Sequence, residues 1–364
     1  MRESCAKYNL LCMTWTQPQF DRTMVNRAGK ALLDSSLDYE TRDHVLEIVN
    51  NWRSAHGYPL QCIKMTLFRR AHKVDKSAII AQRLKRLPSI QAKLKREPQM
   101  MLTQMQDIGG CRAVLSNIKD VQALVRFYEE AKSKNPRGRH ELAKIKDYVK
   151  HPKKDGYRSI HLIYKYRSQS TKHKIYNDQK IEIQIRSKLQ HAWATAVEIV
   201  DAFSGQGLKS GLKLNLGEPK WRRFFALMGS YMALREGCPI VEETSNSRKE
   251  LKRELHELAT VLEVETVLSG LKAALDFSKR TPGAVSYLLV LDLEKRGISV
   301  TAFPQKELAK ANDEYLRIEK ETQNNPKVLA VLVSVESLQA LRTAYPNYYL
   351  DASAFLRVLR QAIA

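Results

Sequence analysis

Apolar positions recur at helical spacing through NRAGKALLD and YETRDHVLEIVNNWRSAHGYP, so residues 1–60 read mainly as helices, stopping at Gly57 and Pro59. Beyond them the pattern alternates between strand and helix. Strands are expected at Ser77–Arg86, Gly110–Leu115, Ser159–Tyr166 and Lys180–Arg186, with helices between and after them. This α/β segment should end near Phe203, where GQGLKSGLKLNLGEP supplies four glycines and a proline. A helix is expected at Lys220–Arg235, then a turn-rich connector at Gly237–Asn246. SRKELKRELHELATVLEVETVLSGLKAALDF continues as a long helical run. SYLLVLDL and GISVTAF read as paired strands around Glu294–Gly297, PQKELAKANDEYLRIEKE as a helix, and KVLAVLVSV as a buried strand. YPNYYLDASAFLRVLRQAIA reads as a short extended piece and an amphipathic helix.

With 364 residues, 43% of them hydrophobic, the chain can fill two or three domains. Its 61 Lys and Arg against 39 Asp and Glu give +22. Residues 241–364 hold 17 of each sign, so the whole excess lies in residues 1–240. The charge balance changes at Gly237–Asn246, which marks that connector as the expected domain boundary. A segment this basic attracts polyanions, so RNA, DNA or highly phosphorylated nucleotides are the expected partners. The start lacks a secretory pattern and no apolar run can span a bilayer, so a cytoplasmic protein without membrane contact is expected. Cys5, Cys12, Cys62, Cys111 and Cys238 are odd in number and never two apart, which argues against a disulfide framework and a Cys-rich zinc site.

Four pieces carry candidate chemistry. In RLKRLPSIQAK a strand runs into a helix at Pro88, so Arg83 and Lys85 share a strand face and Ser89 and Lys93 a helix face. With the helix N-terminus they can bind a triphosphate; alone, the piece reads as a solvated basic strand and helix. In MQDIGGCRAVL, Asp107 beside two glycines can present a carboxylate to a hard divalent ion, with Arg112 close by; alone, it is a turn before a strand. KHPKKDGYRSIH is a basic loop in which Tyr157 offers a face for base stacking and Lys153 faces phosphates, or Tyr157 simply pins a surface loop. In IEIQIR, alternation buries three isoleucines and sets Glu182, Gln184 and Arg186 on the other face, with His191 following at the next helix start.

Together, in this order, these pieces resemble the synthetase domain of the RelA/SpoT alarmone enzymes over roughly residues 60–205. The resemblance implies an α/β (α+β) fold, a mixed-sheet nucleotidyltransferase-like domain that transfers the β,γ-pyrophosphate of ATP to a ribose 3′-hydroxyl. By that resemblance Arg83, Lys85, Ser89, Lys93 and Arg112 hold ATP. Asp107 and Glu182 serve Mg²⁺ and are the catalytic pair, Glu182 also activating the hydroxyl. Lys153, Tyr157, Gln184 and His191 hold the acceptor. Asp155 stands where guanosine-using members have Asn, which puts guanine recognition in question, and Thr195 replaces a Glu of the long bifunctional enzymes. No His-Asp dipeptide occurs, so the hydrolase half of those enzymes is not expected.

A synthetase without a hydrolase needs another brake, and the near-neutral remainder supplies a candidate. The arrangement is similar to toxic small alarmone synthetases fused to their own antitoxin, including the CapRel phage-defence group. That resemblance implies a helical region at 1–60, the pyrophosphokinase domain at 61–240, a helical connector at 241–280, and at 281–364 a small α/β zinc-finger-like regulatory domain lacking metal ligands, with no structural zinc. Tyr345 and Tyr348 would cover the ATP site, a phage capsid protein would release it, and the 3′-CCA end of tRNA would be the acceptor. Arg69, Arg70, Lys73 and Lys76 are the expected RNA-binding cluster. The alternatives are a (p)ppGpp or (p)ppApp synthetase with a regulatory tail, and an inert RNA-binding protein that kept the fold.

Overall fold

The computed structural model describes residues 15–134, 140–207, 219–269, 283–292, 297–321, 328–334 and 353–364. Tyr345 and Tyr348 lie outside them. The chain divides into two compact units, Met1–Lys146 with Ile160–Arg186, and Asp147–Ser159 with Ser187–Ala364.

The first unit opens with α1 (Arg22–Ala31), α2 (Tyr39–Ala55) and α3 (Gly57–Val74). Asp21 and Asp38 cap α1 and α2, each carboxylate accepting hydrogen bonds from first-turn amides. Gly57 and Pro59, expected to end the helical region, instead form the first turn of α3. A proline is harmless there because first-turn N–H groups have no acceptor within the helix. Val25, Ile48, Val49 and Trp52 of α1 and α2 pack with Ile90 and Leu94 of α4 (Leu87–Arg96) into one apolar cluster.

Five strands, β1 (Ile79–Leu84), β2 (Gly109–Leu115), β3 (His140–Asp147), β4 (Ile160–Tyr166) and β5 (Lys180–Ser187), form a sheet in the order β1-β2-β5-β4-β3. The α5 helix (Ile118–Lys134) connects toward β3. β1 pairs antiparallel with β2 and β4 with β5. β5 is central, and Ile181, Ile183 and Ile185 are fully buried, each worth roughly 1.5–3 kcal/mol. Gly109 permits the close approach of β2, since a Cβ there would lie 2.5 Å from Ile181 Cδ1.

In the second unit α6 (Lys188–Gly207) starts with a reciprocal cap. The Ser187 hydroxyl accepts from Gln190 N, and Gln190 Oε1 accepts from Ser187 N. α7 (Pro219–Glu236) is buried almost continuously from Phe224 to Ala233, as expected of a helix that is apolar all round. It is covered by α6, by Leu251 and Leu255 of α8 (Arg248–Val261), and by Phe355 and Leu359 of the helix Ser353–Ile363. The connector Gly237–Asn246 therefore lies inside this unit, with one core on both sides of it. The long helical run expected after the connector breaks at Glu263, whose φ is 47°. β6 (Ala284–Asp292), β7 (Gly297–Pro304) and β8 (Val328–Ser334) form an antiparallel sheet in the order β7-β6-β8. Leu288 and Phe303 pack on the helix Leu308–Glu321. Among the described residues no helix is long and apolar enough to cross a membrane.

Candidate active site

In the first unit the polar face of β5 is built into the fold. β5 is the middle strand, paired along both edges, and the polar face read in IEIQIR is itself largely covered, with Gln184 half-buried between two buried neighbours. Glu182 is 8% exposed and Arg186 2%. His161 of β4 stands directly opposite Gln184 and diagonally from Glu182. Its Nδ1 lies 3.0 Å from Glu182 Oε1, while Gln184 Nε2 donates to Glu182 Oε2 at 2.8 Å. Burial alone raises the proton affinity of Glu182, but the contacts with His161 and Gln184 prevail and hold its carboxyl below the usual range.

Asp107 sits just before β2. The Lys85 amide donates to Ile108 O at 2.7 Å and so pins this segment to the end of β1. Lys85 Nζ then reaches Asp107 Oδ2 at 2.7 Å, and Lys93 Nζ, from α4, reaches Oδ1 at 3.0 Å. Burial opposes ionisation here too, but the two ammoniums overcome it and hold the Asp107 carboxyl at about 2. Lys85, Ser89 and Lys93 thus fall where a strand end meets the first turns of a helix, as read from the sequence. Arg83 pairs with Gly110 in the β1–β2 register and Arg112 with Ala81, which sets both arginines on one face. Ser89 and Lys93 are half-buried.

The donor set suits a hard dication. Asp107 is near enough for its charge to oppose that of Glu182. The Cys111 thiol beside them is pushed up by burial, so it stays protonated and the available donors are oxygens. No group of three or more His, Cys, Asp or Glu side chains able to hold a metal occurs among the described residues. Two carboxylates fit Mg²⁺, which takes few protein ligands and completes its shell with phosphate and water oxygens.

Lys153, Tyr157 and His191 belong to the second unit. The loop of Lys153 and Tyr157 is fixed by its own chemistry: Gly156 N donates to Lys153 O, and Tyr157 N to Asp155 Oδ1 at 2.9 Å. Asp155 therefore shapes the turn through one side-chain oxygen, which Asn also possesses, so this exchange carries little information about the acceptor base. Gly156 has φ 93° and packs so tightly on α7 that a Cβ would meet Phe225 O at 2.6 Å. Arg158, 3% exposed, donates from Nε to Gly229 O and from Nη1 to Val149 O. Trp193 Nε1 donates to Phe225 O. The Lys153 ammonium rests 4.9 Å from the centre of the Tyr148 ring and 5.0 Å from that of Tyr157. His191 lies in the first turn of α6, half-buried.

The basic cluster at the end of α3, with Lys76 just beyond it, has aromatic borders. Arg69, Lys73 and Lys76 are exposed. Phe68, 41% exposed, lies against His72, and Phe127 of α5 is 37% exposed. Arg70 differs from the other three: its guanidinium lies 4.4 Å from the centre of the Tyr128 ring and near the Tyr164 side chain. His161, Arg186, Tyr148, Phe68 and Phe127 were not singled out for a role from sequence. A basic run predicts charge, but which rings stand beside it depends on α5, sixty residues away.

Residues 82–200 match a family described as a region found in RelA / SpoT proteins. Over 118 residues the chain is 33% identical to the GTP pyrophosphokinase YwaC of Bacillus subtilis (strain 168), an alignment covering 31% of this chain and 52% of that protein. It is 30% identical over 118 residues to the probable GTP diphosphokinase RSH3, chloroplastic, of Arabidopsis thaliana, covering 32% and 14%. The chain thus spans about half the length of the first of these relatives. The crystal structure of the small alarmone synthetase 1 from Bacillus subtilis aligns with 54% of this chain and 94% of its own, at 23% identity and a TM-score of 0.40.

Proposed function

We propose that this protein is an ATP pyrophosphokinase of the RelA/SpoT type, passing the β,γ-pyrophosphate of ATP to a ribose 3′-hydroxyl. The observation that carries the reading is the set of buried Lys85 and Glu182 with half-buried Lys93 and Asp107, inside the segment that matches the family. Arg83, Lys85, Ser89, Lys93 and Arg112 take the triphosphate, aided by the free amides at the start of α4. Asp107 and Glu182 are the residues to hold Mg²⁺, which when bound neutralises charge spreading over the transferred group. In the ligand-free chain Asp107 holds both lysines. ATP binding is then an exchange of partners, the ammoniums passing from carboxylate to phosphate at little net cost in buried charge. Glu182, kept ionised by His161 and Gln184, accepts the proton of the attacking hydroxyl. Tyr157 stacks on the acceptor base.

The acceptor we favour is the 3′-CCA end of tRNA, supported by the +22 charge and by the aromatic-edged basic face of α3. The competing acceptor is a free guanine or adenine nucleotide, supported by the naming of both relatives after GTP. In the tRNA reading the second unit also restrains the enzyme through Tyr345 and Tyr348 until a phage structural protein binds. Incubation of the wild type and of Tyr345→Ala with Tyr348→Ala with γ-labelled ATP and Mg²⁺ plus tRNA, GDP, GTP or ADP separates the two. Label on tRNA alone is the expected result, label on nucleotide alone establishes the rival, and no transfer to any acceptor by either protein rejects the pyrophosphokinase.

A further inference from the structure

We propose that Arg186 is a positioning residue for the pyrophosphoryl transfer: it fixes the polarity of the Gln184 amide and through it the Glu182 carboxylate. This rests on the reading of Glu182 as the base. Arg186 is 2% exposed and among the largest fully buried side chains. Its Nη2 donates to Gln184 Oε1 at 3.2 Å, while Nε and Nη1 find no acceptor among the described residues. A guanidinium keeps its proton and has only donors, so burying one against a single neutral oxygen is unfavourable. A purely structural buried arginine would be expected to spend its donors, as Arg158 does on two backbone carbonyls.

What the arrangement achieves lies two residues upstream. An amide has nearly the same shape in either orientation, and its neighbours decide which end points where. Arg186 accepts nothing, so Gln184 turns its oxygen toward it and its Nε2 toward Glu182 Oε2, 2.8 Å away. His161 holds the other oxygen at 3.0 Å. Arg186, Gln184 and Glu182 form a directed chain along one face of β5, every donor pointing toward the base. Gln184 is left with one N–H on the Glu182 side and one lone pair on the Arg186 side for contact with an acceptor. Its contribution to acceptor binding is thereby polarised by a residue that never touches the acceptor.

The chain predicts a split in kinetics. Arg186→Met should lower kcat at least tenfold and leave the KM for ATP within twofold, while Arg186→Lys, which keeps a donor, should recover most of the loss. Because Arg186 acts through Gln184, the double variant Arg186→Met with Gln184→Leu should be no slower than Gln184→Leu alone. Wild-type kcat in a folded Arg186→Met protein, or losses that multiply in the double variant, would overturn the proposal. A readout independent of turnover is hydrogen exchange of the Gln184 side-chain amide, identified in an ¹⁵N spectrum by its disappearance in Gln184→Leu. It should exchange slowly in the wild type and rapidly in Arg186→Met. Exchange in the wild type as fast as that of an exposed glutamine defeats the chain even if Arg186→Met does not fold. If neither the wild type nor Tyr345→Ala with Tyr348→Ala transfers pyrophosphate to any acceptor, the functional reading fails, and slow exchange would then show the chain to be structural.

Discussion

Glu182→Gln keeps the size and hydrogen-bonding reach of the side chain but removes its charge and its basicity. It should cut transfer by at least ~100-fold, in line with the loss of a general base, with ATP binding measured by equilibrium dialysis retained. Asp107→Asn should do the same and leave a second trace. The folded Asp107 carboxyl titrates at about 2, below the ordinary 3.8. A depressed value means that its ion pairs stabilise the fold above about pH 4 and are lost as pH falls toward 2. The contribution is about 2 kcal/mol. Unfolding midpoints across that window should fall in the wild type and be flatter in Asp107→Asn. Both carboxylates were legible in the sequence from their settings, one before glycines and one in a strict alternation. The partners that set their charge were not, because Lys85 and Lys93 read as ligands of phosphate and His161 as one more residue of a strand. Only the β4–β5 register brings His161 to Glu182.

At the scale of elements, the strands with apolar alternation were legible to within a residue or two, and β3 was not. HELAKIKD is largely polar because β3 lies at the sheet edge, with just one residue fully buried. The same limit hid the grip of α7 on the acceptor loop, which consists of absent side chains: Gly156 and Gly229 approach so closely that a Cβ on Gly229 would lie 2.8 Å from Gly156 Cα. Gly156→Ala adds a clash with Phe225 O to an unfavourable φ and should cost about 3 kcal/mol in thermal unfolding. Gly237→Ala, at φ 65° with nothing within 4 Å, should cost only about 1 kcal/mol. Equal losses in the two variants would show that the close packing on α7 contributes little.

At the scale of the whole molecule, if tRNA is the acceptor, its binding should weaken steeply with salt. Replacing Arg69, Lys73 and Lys76 together by Ala should reduce the slope of log K against log salt by about 2 to 3, roughly one per lost phosphate contact. Adding Phe68→Ala should lower affinity with little further change in slope, since stacking releases no ions. Filter binding from 50 to 300 mM salt, about the range over which such contacts are screened, reads both. The restraint is better tested by Tyr345→Ala with Tyr348→Ala in the full chain than by truncation at Ser245. Truncation removes Leu251, Leu255, Phe355 and Leu359 from the core around α7, so a silent truncated protein would be ambiguous. Raised transfer to tRNA in the double tyrosine variant supports the restraint, and unchanged transfer rejects it.

The seat of Phe355 against Phe224 and Phe225 also has a temporal meaning. Phe225 O is the atom on which Trp193 is anchored and against which Gly156 packs. The ribosome completes every residue of the family-matched segment, 82–200, long before it makes 353–363. Until that helix emerges and closes over α7, the loop carrying Tyr157 rests on an unfinished support. Residues 353–363 are thus needed to finish the core beneath this loop, and the second unit completes its packing only after they are made.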